Sequence, residues 1–330
     1  MTNASLFNQS ESSNHLSWNA TVIASAIKMG AFLQSWEWGE YQRALGLKIQ
    51  RLVSSSTAST TASQPEQVLA IRHPWPLGLG YWYLPKGPIG PVSESFRQQI
   101  FAACGDGIML RYEPLTPLDW AGIKVRNHQP GRTLHLDLRP GFEHILKTME
   151  SKTRYNINLS LRHGIAARLM TPEEYPKFVT LMLETAKRGH FTPHPGPRYL
   201  ELFNHFKTPE ATAIMIGAFS GSKLLAATIV IDFAGTRTYL HAASTPDERE
   251  KKAPHALQAF IIQDAISRGL LTYDFWGLAP AGAPDSHPWQ GFSKFKQGFG
   301  GTPYEALGSY ETALRPKLYS LLRQLRKITG

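Results

Sequence analysis

Cysteine is nearly absent from this chain: Cys104 is the only one in 330 residues. No intramolecular disulfide can form, and a cysteine-based metal site has no support. The 12 histidines do not supply one either. His190 and His194 have helical spacing, but Pro193 stands between them and no glutamate occupies the place such a motif needs. Long apolar runs are also missing, since no segment reaches the ~18 residues a membrane span requires. The N-terminus, Met1-Thr2-Asn3 and onward, is rich in Asn and Ser and has no basic stretch before an apolar core, so it does not read as a secretory signal. Its polarity and lack of period predict a disordered leader over residues 1–28. No Walker A loop, no Gly-x-Gly-x-x-Gly after a strand and no Gly-x-Ser-x-Gly elbow is present, which removes the usual signatures of nucleotide hydrolysis, dinucleotide binding and serine hydrolysis. Gln297-Gly298-Phe299-Gly300-Gly301 only loosely approaches the pyrophosphate loop of acetyl-CoA-dependent N-acetyltransferases, so coenzyme A is not the expected donor.

What is abundant is positive charge. Against 25 Asp+Glu stand 35 Lys+Arg, a formal net charge of +10. That balance suits a polyanionic partner: RNA, a nucleotide-linked substrate or an anionic membrane surface. No basic run is long enough to choose among them. A hydrophobic fraction of 42% is ample for buried cores, and the length favours two domains or one large one.

Periodicity outlines the elements. Ser35 reads as a helix cap before Trp38, Tyr41 and Leu45. Strands are predicted at Leu47–Val53, Gln67–Arg72, Gly80–Leu84 and Gly107–Glu113, with a loose Ser/Thr/Ala loop at Ser54–Ser63 and a helix at Ser93–Ala103. Arg132–Leu138 alternates as a half-exposed strand should. One amphipathic helix is expected from Phe142 through Asn156 to near Gly164, and Thr171-Pro172-Glu173-Glu174 is a capping box opening another. Strands at Thr212–Phe219, Lys223–Phe233 and Thr236–Ala242, a helix at Pro254–Arg268, a strand at Leu271–Trp276 and a last helix at Pro316–Lys327 complete the reading. Each half reads as helices, then mainly antiparallel strands, then a further helix and strand: a mixed α/β (α+β) fold. The expected domains are 29–150, with completion by the C-terminal segment left open, and 151–330 with the C-terminal helix.

The most informative stretch is Phe292-Ser293-Lys294-Phe295-Lys296-Gln297-Gly298-Phe299. Wound at about 100° per residue, it aligns Phe292, Phe295 and Phe299 in one stripe. Lys296 falls inside the stripe, and Lys294 points to water. A lysine on an aromatic face is partly desolvated, so its ammonium needs either a partner or a chemical role. Snorkelling or a cation–π contact would satisfy it without function.

Eight segments in order resemble the FemABX family, the aminoacyl-tRNA-dependent transferases that build the interpeptide bridge of bacterial peptidoglycan. They are Phe32–Gly39, Gly80–Pro88, Leu110–Pro114, Lys152–Ile157, Thr185–Arg188, Tyr239–Ser244, Ala253–Gln258, and Tyr273–Gly277 with Gly291–Gly301. The match runs from about residue 30 to 320, in a form without a coiled-coil arm. The resemblance implies two domains similar to the GNAT acyltransferase fold. It also implies transfer from aminoacyl-tRNA to the side-chain amine of a UDP- or lipid-linked muramyl peptide. The ester is already activated, so no cofactor, ATP or metal is implied. The expected setting is cytoplasmic and monomeric, with peripheral contact with the inner membrane face left open.

The same resemblance places the family's functional lysine at Lys296, beside Phe295. Held as a cation in a low-dielectric site, it would stabilise a developing oxyanion; with a lowered pKa it would act as a base. Lys152, Thr153 and Arg154 are candidates for gripping precursor phosphates, and Tyr155 and Tyr239 for lining the peptide groove, against exposed-helix and core-packing readings. Glu113 either accepts the amine's proton, positions the amine or forms a structural ion pair with Arg111 or Lys86, and Asp274 is open in the same way. Trp38 and Trp276 complete the candidate binding set. Gln42 stands where some relatives carry a phosphate-binding lysine, which leaves precursor recognition open. Two other classes stay in view: a related N-acyltransferase for a small-molecule, lipid or protein amine, and a non-catalytic binding module.

Overall fold

The computed structural model describes residues 4–54 and 65–329. By internal contacts the chain forms two compact units: residues up to Gln129 with those from Ala306 onward, and Pro130–Glu305. Most of the Ser/Thr/Ala loop predicted at Ser54–Ser63 lies outside the described residues. No helix among the described residues is long and apolar enough to cross a membrane.

Unit 1 opens with α1 (Ala4–Ala24) and α2 (Trp36–Ala44), then β1 (Lys48–Val53), β2 (Gln67–Pro74), β3 (Gly80–Leu84), α3 (Glu94–Ala103), β4 (Met109–Tyr112) and β5 (Ile123–Val125). The predicted disordered leader is therefore corrected: most of it is helix. Its polar composition conceals two apolar anchors one turn apart, Trp18 at 4% and Val22 at 0% exposure. The neighbouring polar groups also find partners inside the fold. Trp18 Nε1 donates to the Gln34 carbonyl (2.7 Å) and the Asn19 amide to Glu37 (3.0 Å). Ser35 caps α2 as read from the sequence, accepting from the Trp38 N–H at 3.1 Å.

Unit 2 holds β6 (Arg132–Asp137), α4 (Phe142–Thr148), α5 (Ser151–Arg162), β7 (Ile165–Leu169), α6 (Tyr175–Gly189), α7 (Gly196–His205), β8 (Ala211–Ser220), β9 (Lys223–Phe233), β10 (Thr236–Ser244), α8 (Ala253–Ser267), β11 (Thr272–Asp274), α9 (Gln290–Gln297) and β12 (Thr302–Glu305). The single helix expected from Phe142 to Gly164 is broken, because Met149 and Glu150 are extended (ψ 154° and 145°). There the Glu150 N–H leaves the helical ladder and donates to the Gly298 carbonyl (2.9 Å). The capping box at Thr171 and Glu174 is present as read.

The chain then returns to unit 1 with β13 (Ser309–Ala313) and α10 (Pro316–Thr329). This corrects the expected boundary at residue 150 and the assignment of the C-terminal helix to the second domain. The cause is hydrogen bonding: β13 pairs antiparallel with both β4 and β5, filling the place between them. The C-terminal segment thus completes the first unit.

The sheet orders are β1-β2-β3-β4-β13-β5 and β12-β6-β11-β10-β9-β8-β7. Within each, one parallel pair interrupts an otherwise antiparallel set: β3 with β4 and β10 with β11, joined through α3 and α8. In unit 2 the parallel register is short, Thr236–Thr238 against Thr272–Asp274. A bulge follows at Tyr239–His241 in the β9 pairing. Bulges bend a strand, and β10 runs on to Ser244 without β11 beside it. Past the last paired residues, Tyr239 on β10 and Trp276 beyond β11 both lie beside Lys296, the centre of the site described below. The unit's core of Leu136, Ile216, Val230, Ile261, Tyr273, Phe275 and Phe299 packs against the same strands.

Candidate active site

Helix α9 turns Ser293 and Lys296 inward, at 2% and 8% exposure. Lys294 points to water and pairs with Asp285 (3.0 Å). The aromatic stripe is graded: Phe299 is fully buried, Phe295 packs half-buried against the core, and Phe292 is 40% exposed at the rim. The Lys296 ammonium lies 5.0 Å from the Phe292 ring centre and 5.8 Å from that of Tyr239.

Two successive carbonyls hold Lys296. Its Nζ donates to the Trp276 carbonyl and to that of Gly277 (2.8 Å). Both residues have left-handed backbone, φ 51° and 42°. Trp276 is strained there, since its Cβ disfavours that region. The strain is held by its N–H donating to Asp274 Oδ1 (2.8 Å). Asp274 is itself fully buried; it also accepts the Thr133 hydroxyl and faces His135 Nε2 at 3.6 Å. Burial lowers the Lys296 pKa to about 7, against the opposing pull of the Asp274 charge. Two of the three tetrahedral positions on Nζ are thus taken by carbonyls. The third carries an N–H when the amine is charged and a lone pair when it is neutral.

The segment Lys152–Tyr155, read as a phosphate grip and groove lining, divides at the start of α5. Thr153 is buried, and a Cβ added at Gly298 would lie 2.4 Å from its Oγ1. Arg154 donates to the Lys147 carbonyl (3.3 Å) and to that of Met149, capping the end of α4. Lys152 and Tyr155 face water, and the Arg162 guanidinium lies over the Tyr155 ring at 5.7 Å. Tyr155 is therefore not core, which removes one of the two readings given to it. Because Gly298 and Thr153 lock α9 to α5, Gly298→Ala is expected to lower stability by about 1–3 kcal/mol through overpacking. Denaturant unfolding checks this, and Thr153→Ala in the same chain should recover most of the loss.

Glu113, Trp38 and Gln42 belong to unit 1, and each is accounted for there. Glu113 faces Lys86 Nζ at 3.3 Å, and its other oxygen accepts from the Gln129 N–H (3.0 Å) and the Ser309 hydroxyl (2.9 Å). Arg111 pairs with Glu311 instead. Trp38 packs edge-on to Phe32 (5.3 Å), and Gln42 is buried at 3% exposure, which sets it apart from a surface phosphate contact.

Sequence reasoning passed over three residues near Lys296. His255 and Gln258 sit one turn apart on α8, and Asn156 on α5 reaches His255 Nε2 (3.1 Å). The His255 ring stands edge-on to Phe295 at 5.1 Å. The signal was available: two polar side chains at i and i+3 in the otherwise apolar stretch 253–262 that opens α8.

The sequence model of the FemAB family matches residues 117–220 and 210–327. Among curated proteins the chain is 25% identical over 269 residues, 73% of its length and 78% of the relative's, to the UDP-N-acetylmuramoylpentapeptide-lysine N(6)-alanyltransferase of Weissella viridescens. It is 33% identical over 95 residues, 28% of its length and 22% of the relative's, to the lipid II:glycine glycyltransferase of Staphylococcus haemolyticus (strain JCSC1435). Its fold is similar to the crystal structure of FemX, with a TM-score of 0.78, 15% identity, and 93% of this chain and 98% of that one covered. It is also similar to a tandem GNAT protein from the clavulanic acid biosynthesis pathway, with a TM-score of 0.50, 12% identity, and 81% and 83% covered.

Proposed function

Because the chain belongs to the FemAB family, we propose that it moves an amino acid from aminoacyl-tRNA to the side-chain amine of a peptidoglycan stem peptide, UDP- or lipid-linked, and so builds the interpeptide bridge. The observation that carries the reading is Lys296, a buried amine fixed by two carbonyls with one position left for chemistry.

In this reaction the acceptor amine attacks the ester carbonyl carbon. A C–N bond forms as the carbonyl π electrons move to oxygen. Collapse of the tetrahedral intermediate breaks the C–O bond to the ribose, and the amine's proton ends on the ribose oxygen. The third N–H of a charged Lys296 is suited to the oxyanion, because a preorganised cation in a water-poor site stabilises developing charge better than water does. Phe295, Phe292 and Tyr239 supply the apolar walls, and Asp274 with the two carbonyls favours the charged form. Lys152 and Tyr155 are the exposed groups available to the precursor. Arg154 and Glu113 enter as supports of α4 and of Lys86, with no chemical step assigned to them.

The test is transfer of radiolabelled amino acid from charged tRNA to UDP-N-acetylmuramyl pentapeptide and, in parallel, to the lipid-linked precursor. Alanyl- and glycyl-tRNA come first. Labelled product that needs charged tRNA supports the reading. No product with either precursor across a full set of charged tRNAs sinks it and moves the search to other amine acceptors.

A further inference from the structure

Two buried hydrogen-bond donors on α8 have no partner among the described residues. Gln258 is 0% exposed. Its Oε1 accepts from the Tyr273 hydroxyl at 2.7 Å, with Nε2 on the other side of the amide. That nitrogen is buried and unpaired. The Tyr239 hydroxyl, held up near 12 by burial, is eased downward by the Gln258 amide, yet the two do not reach hydrogen-bonding geometry.

His255 lies one turn earlier on the same helical face. Its Nε2 receives the Asn156 amide at 3.1 Å. A side-chain NH₂ can only donate, so Nε2 must be the acceptor, and the neutral ring carries its hydrogen on Nδ1. Nδ1 is buried and unpaired as well. Burial, with Lys252 and Lys152 nearby, lowers the His255 pKa to about 4, so the ring is neutral at neutral pH.

Unpaired buried donors are costly, and native folds rarely keep them without use. These two sit in the first turns of a 15-residue helix, where the backbone's positive end also favours oxygen. The His255 ring touches Phe295, the neighbour of Lys296.

We propose that His255 Nδ1 and Gln258 Nε2 form a second hydrogen-bonding site that takes hydroxyl or carbonyl oxygens of the acyl donor, while Lys296 serves the reacting carbonyl. This rests on the function proposed above. The donor substrate brings ribose hydroxyls and an acyl carbonyl, which are acceptors; the reacting group of the other substrate brings N–H. Occupancy of this site would orient the ester, and neither residue touches the bond that breaks.

The experiment measures the Kd of a CCA trinucleotide carrying amide-linked alanine, beside steady-state transfer from alanyl-tRNA. Gln258→Glu keeps the acceptor for Tyr273 and removes the donors. His255→Ala removes the ring. His255→Asn returns a donor at the Nδ1 position, whereas His255→Gln returns one at Nε2. Gln258→Glu, His255→Ala and His255→Gln should each weaken probe binding and raise KM for charged tRNA about tenfold. His255→Asn should restore both, and KM for the muramyl peptide should stay within about twofold throughout. Thermal unfolding of each variant guards against a merely folded-state effect. Wild type that transfers, with variants that bind the probe equally well, overturns this site alone. A rise in KM for the muramyl peptide instead also overturns it. Wild type that neither transfers nor binds the probe removes both readings.

Discussion

Replacing Lys296 with methionine is expected to slow transfer about 10²–10³-fold at saturating substrates. Methionine matches the length and apolar stem of lysine, so packing against Phe292 and Tyr239 is kept and only the donor is lost. The pH profile then separates the two chemical roles. With its pKa lowered to about 7 by burial, Lys296 is charged below that value and neutral above it. A cation that stabilises the oxyanion places a descending limb near pH 7 in kcat/KM, which reports the free enzyme. A base places an ascending limb there. The stability consequence has a definite sign. Between pH 7 and the ordinary lysine value of 10.5 the unfolded chain binds more protons at this position than the folded one. Wild type therefore gains stability relative to Lys296→Met as pH rises through that window, and carries the full burden of a buried charge below it. Unfolding of both proteins at several pH values checks this. A gap that stays constant from pH 6 to 10 would show that the amine is not desolvated as described.

Arg237→Met is expected to cost about 3–5 kcal/mol of folding stability, the typical price of stranding buried charge. Arg237 is 0% exposed on β10. Its guanidinium forms a two-bond fork with Asp232 on β9 (2.7 Å each) and reaches Asp264 on α8 (2.7 Å) and the Ile261 carbonyl (3.0 Å). Burial pulls its pKa down, but the two carboxylates outweigh that and hold it above the usual arginine value. Without the cation, Asp232 and Asp264 both lose the guanidinium they share, and Asp264 keeps the Arg268 contact. Because this fork fastens α8 to β10, residual activity should fall with KM for the donor more than with KM for the acceptor. Chemical denaturation gives the stability term. A loss below about 1 kcal/mol would mean the carboxylates are rescued by water and that the fork is not what holds α8.

Neither Arg237 nor its partners stood out in the sequence. Asp232 and Arg237 are separated by the β9–β10 turn and Asp264 lies a helix away, so only the strand register brings them together. The same holds for Asp274. Its charge was noticed as a candidate, but its hold on the Trp276 backbone, and through it on Lys296, depends on a left-handed turn that residue types do not announce. Arg154 and Thr153 carried the right chemistry for phosphate, yet a break in the helix at Met149–Glu150 gave the guanidinium carbonyls to cap and put the hydroxyl under Gly298.

Local physics decided much from sequence alone. Period and capping marked most strands and helices, because burial of one face imposes spacing of 2 or 3.6 residues wherever that face meets a core. The aromatic spacing around Lys296 marked an amine that would lose water, since residues three and four apart on a helix lie on the same face. What the tertiary structure alone decided is everything that depends on closure between distant segments. β13 completes unit 1 because a strand needs two neighbours to satisfy both edges, and no local pattern names them. α1 is helix because Trp18 and Val22 find a core that their own segment does not contain. The Lys296 ammonium is held at two of its positions because carbonyls twenty and nineteen residues away in sequence are brought to it.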